Sequence, residues 1–233
     1  MKTEKVASHI GIVGCSPPGA ALCYQIICTE SALPGLEVSS HSHPFREYMR
    51  RIRADDWHGV ADLMLSSAAK LALLGADFCV APCNTIHLAF DLVRRRSPVP
   101  WLHIAEEVAL EARQAGYRRV ALLGTKLLME SEVYPNEFAR TGIEWAVPTR
   151  DERERIDNFI FAEMVHGRFT EPARSYLQRV IDRLHADGCD AVGMCCTELP
   201  MLLTPADISI PILDSTKILG LAALKKASMT SAE

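Results

Sequence analysis

The chain reads as an α/β protein built from two similar units, each a parallel sheet flanked by helices. Three observations predict this. A phrase occurs twice: Gly75-Ala76-Asp77, five residues, then Cys83-Asn84-Thr85; and Gly188-Cys189-Asp190, five residues, then Cys196-Thr197-Glu198. The five small or apolar residues in each copy suit a strand buried on both faces. A short apolar run closed by glycine stands ahead of each copy, Ile10 to Gly14 and Val120 to Gly124, and the spacings Gly14 to Cys83 (69) and Gly124 to Cys196 (72) nearly match. That period is too long for a solenoid repeat and fits a duplicated domain. Between these landmarks helix-like and strand-like patterns alternate, as parallel sheets with helices on both faces require.

The elements follow in order. Ile10 to Gly14 is an apolar strand, after which Ser16 lies in a glycine loop. Leu36 to Ser40 is a short strand. Asp55 to Leu74 has a helical apolar period and stops before Gly75. The strand of the first repeated phrase leads to Cys83, and Thr85 to Arg95 reads as the helix after that turn. Pro100 to Ile104 is a strand, and Glu106 to Ala115 a helix ending at Gly116. Arg119 to Leu123 opens the second unit. Glu130 to Arg140 is helical and ends near Gly142, and Ile143 to Ala146 is a short strand. The helices Arg150 to Val165 and Glu171 to Ala186 stop at Gly167 and Gly188. Ile210 to Leu213 is the last strand, and Asp214 caps a final helix to about Ala227.

Composition bounds the function. With 233 residues, 48% hydrophobic and 23% charged, the chain suits one large or two small domains. A net charge of −4 and a pI near 6.1 lack the basic excess of a nucleic-acid partner, and Arg94-Arg95-Arg96 reads as a solvated helix end. Met1 to His9 is polar, and Ile10 to Val13 is too short for a signal-peptide core. No apolar run approaches a membrane span. A cytoplasmic protein is the expectation, with eight cysteines kept as reduced thiols.

Position singles out two of those thiols. In an open α/β sheet, ligands bind just past the carboxyl ends of strands, where Cys83 and Cys196 sit. Two thiols from two similar halves suggest a pair facing each other across a cleft. Cys79, inside a strand, reads as core. Cys195 precedes Cys196 on a strand whose side chains alternate in direction, so it reads as buried. Cys15, in the first loop, has no assigned role. His87 follows Cys83 by four residues and reads as a hydrogen-bonding group that orients the Cys83 turn. Zinc held by Cys83, His87 and Cys196 is the sharper alternative, but structural zinc favours tighter pair spacing and four ligands, so no metal is expected. Glu198 reads as a cap on its own helix.

The residues Pro82-Cys83-Asn84-Thr85-Ile86-His87 resemble the Pro-Cys-Asn-Thr-x-His motif of the aspartate/glutamate racemases. Cys195-Cys196-Thr197-Glu198-Leu199 resembles their second motif, Gly-Cys-Thr-Glu-Leu, with Cys195 in place of the glycine. The resemblance runs from the Gly14 loop to Asp214, and Val120 to Thr125, Met129-Glu130 and Ile160 to Thr170 look like the broad-specificity branch. It implies two α/β domains with the active site in the cleft between them, a C-terminal segment that returns to the first domain, no cofactor, and a homodimer. On that basis the first lobe is 1–98 plus 206–233 and the second 99–205. It implies an isomerase that interconverts L- and D-aspartate or glutamate, a small-molecule substrate.

Such chemistry explains a pair of cysteines. Racemisation removes the Cα proton from one face and returns one to the other, so two opposed groups, one thiolate and one thiol, avoid moving a single base across the substrate. A free thiol has a pKa of about 8.5 and needs support as an anion. Both cysteines precede helix-like segments, whose unpaired N–H groups favour a negative charge. Without an electron-sink cofactor the carbanionic state depends on fixed donors. Asn84, Thr85 and Thr197 are the candidates, joined through the resemblance by Thr125 and, in the first loop, by Ser16. A substrate side-chain carboxylate needs a cation. Arg46, in His43-Pro44-Phe45-Arg46, resembles the family's arginine-bearing loop and offers a fork that fits a carboxylate.

The chain departs from the family in two places. Gly14-Cys15-Ser16-Pro17-Pro18 stands where Gly-Gly-Met-Gly/Ser-Pro is common, and Val165-His166-Gly167 offers no lysine where many aspartate racemases have one. Strict aspartate specificity is therefore not implied, and glutamate or neutral amino acids stay open. Two other readings stand beside the racemase. One is a same-fold enzyme acting on another carbon acid, such as a hydantoin racemase or maleate isomerase. The other is a non-catalytic amino-acid-binding protein, against which the retained thiol pair argues.

Overall fold

Two wholly parallel sheets organise the protein, a computed structural model of which describes residues 8–230. The first sheet is built from β1 (Ile10–Gly14), β2 (Val38–Ser42) and β3 (Phe78–Val80), in the order β2-β1-β3. Its connections are α1 (Pro17–Glu30), α2 (Phe45–Arg53) and α3 (Trp57–Leu73); a 3-10 helix (Thr85–Ala89) and α4 (Phe90–Arg94) follow β3. After α5 (Ile104–Gln114) the second sheet takes β4 (Arg119–Leu123), β5 (Glu144–Ala146), β6 (Ala191–Met194) and β7 (Ile212–Asp214), in the order β5-β4-β6-β7. Its helices are α6 (Lys126–Met129), α7 (Val133–Thr141), α8 (Arg150–Ala162), α9 (Glu171–Ala186), α10 (Leu199–Leu202) and the closing α11 (Ser215–Thr230). The chain divides into two compact units, one of the described residues up to Ile104 with those from Thr216 on, the other Ala105–Ser215.

The duplication is visible in backbone detail. Gly75 and Gly188 stop the helix before each repeated strand with φ of +93° and +97°, a conformation that a Cβ disfavours. The aspartate two residues later then ties that strand to its neighbour. The His9 N–H donates to Asp77 Oδ2 at 2.7 Å, and the Asp77 N–H to the His9 carbonyl at 2.9 Å. Asp190 repeats this for β4, accepting from the Arg118 and Arg119 N–H groups at 2.9 and 3.0 Å and donating to the Arg119 carbonyl at 2.9 Å. The repeated Gly-x-Asp is thus a helix stop and a strand clamp, used twice.

Strands β1, β3 and β6 are buried along their whole length, as the continuous apolar runs require. In the first unit Val13, Val60, Met64, Leu71 and Ile86 pack on one side, and Ile10, Ile12, Ile27 and Phe78 pack with Leu219 and Ala223 of α11 on the other. In the second, Leu123, Val192 and Met194 pack against Ile156, Ile160, Leu177 and Ile181 of α8 and α9. Among the described residues no helix is long and apolar enough to cross a membrane.

Several expectations shift. Pro100 to Ile104 is not a strand. A single parallel bridge joins Trp101 to Cys79, and Ile104 already opens α5. Pro100 has no N–H to extend a ladder, so it contributes only its carbonyl, to the Cys79 N–H at 2.9 Å. The matching bond in the second unit, Val192 N–H to the Pro211 carbonyl at 2.9 Å, leads into β7. Pro100 to Leu102 pairs with β3 and β7 pairs with β6, and the two compact units change over at Ile104 and Ser215. Thr85 to Arg95 is a 3-10 helix followed by one short α-helix, and the helix expected from Glu130 begins only at Val133, after a turn that follows α6. Asp214 closes β7 instead of standing outside it, and the helix after it runs past Ala227. Helix α1 covers residues to which the sequence reading assigned no element, and α2 lies where Arg46 was placed in a loop.

Candidate active site

Parallel neighbours end at the same edge of a sheet, so each unit gathers its candidate residues from adjacent strands. In the first unit Ser16 follows β1 and Cys83 follows β3, while β2 runs into α2 and Arg46. In the second, Thr125 follows β4 and Cys196 follows β6. All eight cysteines are free thiols, and only Cys83 and Cys196 are half-buried; Cys28 is exposed and the other five are buried. Half-burial is what a reacting thiol needs: solvent-side access with protein groups against it.

In the first unit Cys83 is followed by buried Asn84, half-buried Thr85 and buried His87. His87 holds the turn as the sequence suggests. Its Nδ1 donates to the Cys83 carbonyl at 3.0 Å, and its Nε2 accepts from the Ile104 N–H at 3.4 Å. The two bonds assign the tautomer. Burial pushes the His87 pKa down to about 4, against the opposing bonds to the Cys83 and Asn84 backbone, so the ring is neutral at neutral pH. The ring stacks on Phe90 at 5.5 Å and meets the edge of His103 at 4.8 Å. Ser16 caps α1, its oxygen accepting from the Gly19 N–H at 3.3 Å, which leaves the hydroxyl proton uncommitted by the cap. Arg46 lies in the first turn of α2, not in a loop. It is exposed and has no ion pair among the described residues, whereas Arg50 and Arg51 of the same helix are paired with Glu47 and Asp56.

The second unit is built differently around its thiol. The Cys196 Sγ–H donates to Glu198 Oε2 at 2.9 Å, and the Thr197 hydroxyl donates to the same oxygen at 2.7 Å. Glu198 is only 4% exposed. It does not cap α10, which corrects the sequence expectation: its side chain turns back onto the cysteine instead. Thr197 spends its hydroxyl proton on that carboxylate, so as a donor to a ligand it has only its backbone N–H in this arrangement. Thr125 caps α6, accepting from the Leu128 N–H at 3.3 Å, and Asp157 steadies the same turn through the Lys126 N–H at 2.7 Å. A Cβ on Gly124 would come within 3.0 Å of the Cys195 carbonyl oxygen, so glycine lets the β4 and β6 ends approach.

Helix starts contribute less than the sequence suggests. The segments after Cys83 and Cys196 are a five-residue 3-10 helix and a four-residue α-helix, too short to build a sizeable dipole. Cys195 is buried, and burial pushes its thiol up to about 12, the Tyr134 hydrogen bond opposing and the Asp214 charge adding. Cys79 is likewise pushed up to about 12 by burial, and Cys15 is 1% exposed within the core. These thiols are packing. Among the described residues no group of three or more His, Cys, Asp or Glu side chains is arranged to hold a metal ion. Sequence reasoning missed Tyr48, fully buried on α2 in the core cluster that Cys15 belongs to and that Cys83 packs against. Its signal was present: Phe45, Tyr48, Met49 and Ile52 keep the i, i+3, i+4, i+7 spacing of a helix face.

Known proteins share this architecture. The Asp/Glu/hydantoin racemase family model matches residues 20–223. The broad specificity amino-acid racemase RacX of Bacillus subtilis (strain 168) is 27% identical over 157 residues, 67% of either chain. A crystal structure of an Asp/Glu racemase-type protein from Yersinia pestis superposes with a TM-score of 0.86 at 29% identity, covering 95% of this chain and 99% of the other. An aspartate racemase homologue from Pyrococcus horikoshii OT3 gives 0.79 at 29% identity, covering 97% and 100%. With its two parallel sheets, its strand-end thiols and a family match over most of its length, the chain belongs to the Asp/Glu/hydantoin racemase family.

Proposed function

We propose that the protein is an amino-acid racemase that inverts the Cα centre of aspartate, glutamate or a related amino acid with Cys83 and Cys196 as its two acid/base groups. The observation that carries this reading is the selective half-burial of these two thiols, each just past the end of a buried strand. In one direction the Cys83 thiolate takes the Cα proton, so a C–H bond breaks as an S–H bond forms. The Cys196 thiol then gives its proton to the opposite face. The reverse direction exchanges the roles. No external electron sink takes part; the negative charge that spreads into the substrate carboxylate is met by Asn84, Thr85, Thr125, Ser16 and the backbone N–H of Thr197.

Glu198 gives the pair an asymmetry. In the 2.9 Å bond to Glu198 the Cys196 sulfur is the donor and carries its proton. That proton makes Cys196 the resting acid and leaves Cys83 as the resting base. Arg46, exposed and without an ion pair among the described residues, receives the substrate side-chain carboxylate. With no lysine at the Gly167 turn, the pocket takes more than one amino acid, in line with the broad specificity of the Bacillus relative. A homodimer in the cytoplasm belongs to the same reading, and light scattering of the purified chain tests the assembly.

The experiment is chiral chromatography after incubation with single enantiomers of aspartate, glutamate, neutral amino acids and a 5-substituted hydantoin. Appearance of the opposite amino-acid enantiomer supports the reading. Racemisation of the hydantoin alone would move the protein to another branch of its family, and tight binding without inversion would make it a binding protein.

A further inference from the structure

Asp157 carries a charge that its surroundings leave unmatched. It lies half-buried on α8, and its Oδ1 accepts from the Lys126 N–H at 2.7 Å. Its Oδ2 takes no hydrogen bond and no ion pair among the described residues. The charged groups that act on it are Lys126 and Glu130, and both are engaged elsewhere. The Lys126 ammonium is paired with Glu154 at 2.9 Å, and Glu130 with Arg153 at 3.0 Å. Burial pushes the Asp157 pKa up; the Lys126 N–H and charge oppose this, and Glu130 adds to it. A half-buried carboxylate held in this way is stabilised by a cation brought to its open oxygen.

Its place in the fold says which cation. Thr125 and Lys126 follow β4, β6 runs beside β4 in parallel, and Cys196 follows β6. The Cys195 N–H donates to the Leu123 carbonyl at 2.7 Å, so the two strands are still joined where they end. Asp157 is therefore bonded to the exit of the strand next to the one that delivers Cys196, at the edge where parallel sheets bind ligands. The donors and the arginine assigned to the substrate all serve its carboxylates. An amino acid also brings an ammonium group, which needs an acceptor.

We propose that Asp157 is the residue that binds the α-ammonium group of the amino acid, its Oδ2 accepting from the ammonium while Oδ1 stays on the Lys126 N–H. The inference rests on the racemase reading and supplies an acceptor that this reading lacks. A carboxylate beside the amine keeps it protonated, and a positively charged nitrogen on Cα eases loss of the Cα proton. The contact does not sort one side chain from another, because every α-amino acid carries the same ammonium. It does favour amino acids over carbon acids without that charge, such as a hydantoin.

The test is isothermal titration calorimetry of the wild-type protein and of Asp157→Asn with L-aspartate and with succinate, which is aspartate without its ammonium. Asparagine keeps an oxygen for the Lys126 N–H, so the turn is held while the charge is lost; a thermal melt checks the fold. Aspartate should bind the variant about ten- to a hundred-fold more weakly, the worth of a hydrogen bond between charged groups, while succinate binds unchanged or more tightly. The wild-type protein should itself prefer aspartate to succinate, a comparison that needs no variant. In racemisation, KM for aspartate, glutamate and alanine should rise together. Equal weakening of aspartate and succinate would make Asp157 a support for the Thr125 turn only and would overturn the proposal. An aspartate affinity that the substitution does not move, or wild-type protein that binds succinate as tightly as aspartate, would overturn it too. Wild-type protein that binds aspartate without inverting it would refute the racemase reading, and the aspartate–succinate comparison would still decide Asp157. Wild-type protein that binds no amino acid would overturn both.

Discussion

Glu198 and His87 show how differently the two thiols are served at the scale of single residues. Glu198 is bonded to its cysteine through the sulfur, His87 only through the backbone carbonyl. Replacing Glu198 by Gln removes the carboxylate charge and keeps the shape. We expect alkylation of Cys196 at neutral pH to accelerate, since no like charge then opposes the thiolate, while racemisation falls about ten-fold or more from loss of the shared proton. Slower alkylation of Cys196 in that variant would contradict the pairing. Cys83→Ser and Cys196→Ser should each lower racemisation by about 10²–10⁴-fold, the usual worth of a positioned acid/base group. Arg46→Ala should raise KM for aspartate and glutamate more than for alanine, with kcat less affected; equal effects on all three would remove Arg46 from side-chain recognition.

At the scale of elements, the Gly-x-Asp clamps set where each strand ends and hence where each cysteine emerges. Asp190→Ala removes the acceptor for two backbone N–H groups ahead of β4 and should cost about 1–2 kcal/mol in denaturant unfolding, with Asp190→Asn costing less because one oxygen remains. The repeated phrase, the glycine stops and the strand-end cysteines were legible because they depend on local chemistry and a repeated spacing, whereas the clamp that each aspartate forms shows only in the structure. Helices α1 and α2 were not. Pro17 and Pro18 resemble a loop, yet proline suits the first turn of a helix, and Ser16 caps it. In α2 four arginines and a glutamate mask an apolar face that is only four residues wide. The single bridge at Trp101 was overcounted as a strand because an apolar run does not reveal that a proline will interrupt its ladder. The Glu198 contact was hidden for another reason: a carboxylate two residues past a cysteine reads as a helix cap until the backbone shows which way it turns.

For the whole molecule the buried imidazole of His87 links the candidate site to stability. Its native pKa of about 4 lies below the ordinary histidine value of about 6.5. The unfolded chain therefore takes up a proton below pH ~6.5 that the native state refuses until pH ~4, so the stability contributed by the neutral ring is present above that window and is lost as pH falls through it. A loss of roughly 3 kcal/mol between those limits follows from the shift. Chemical denaturation at a series of pH values should show this slope, and His87→Asn should flatten it; an unchanged slope in the variant would place the proton uptake elsewhere. Duplication also gives each unit its own half-buried thiol just past a strand end.

The central claim is that two cysteines exchange protons with opposite faces of one amino-acid Cα. Proton NMR in D₂O, with a panel of single-enantiomer amino acids, reduced protein and no added cofactor, tests it directly through the Cα–H signal. Disappearance of that signal together with formation of the opposite enantiomer, both abolished in Cys83→Ser and in Cys196→Ser, is the result the account predicts. A folded, reduced protein that leaves every Cα–H in place, or one that still racemises with both cysteines replaced, would contradict it.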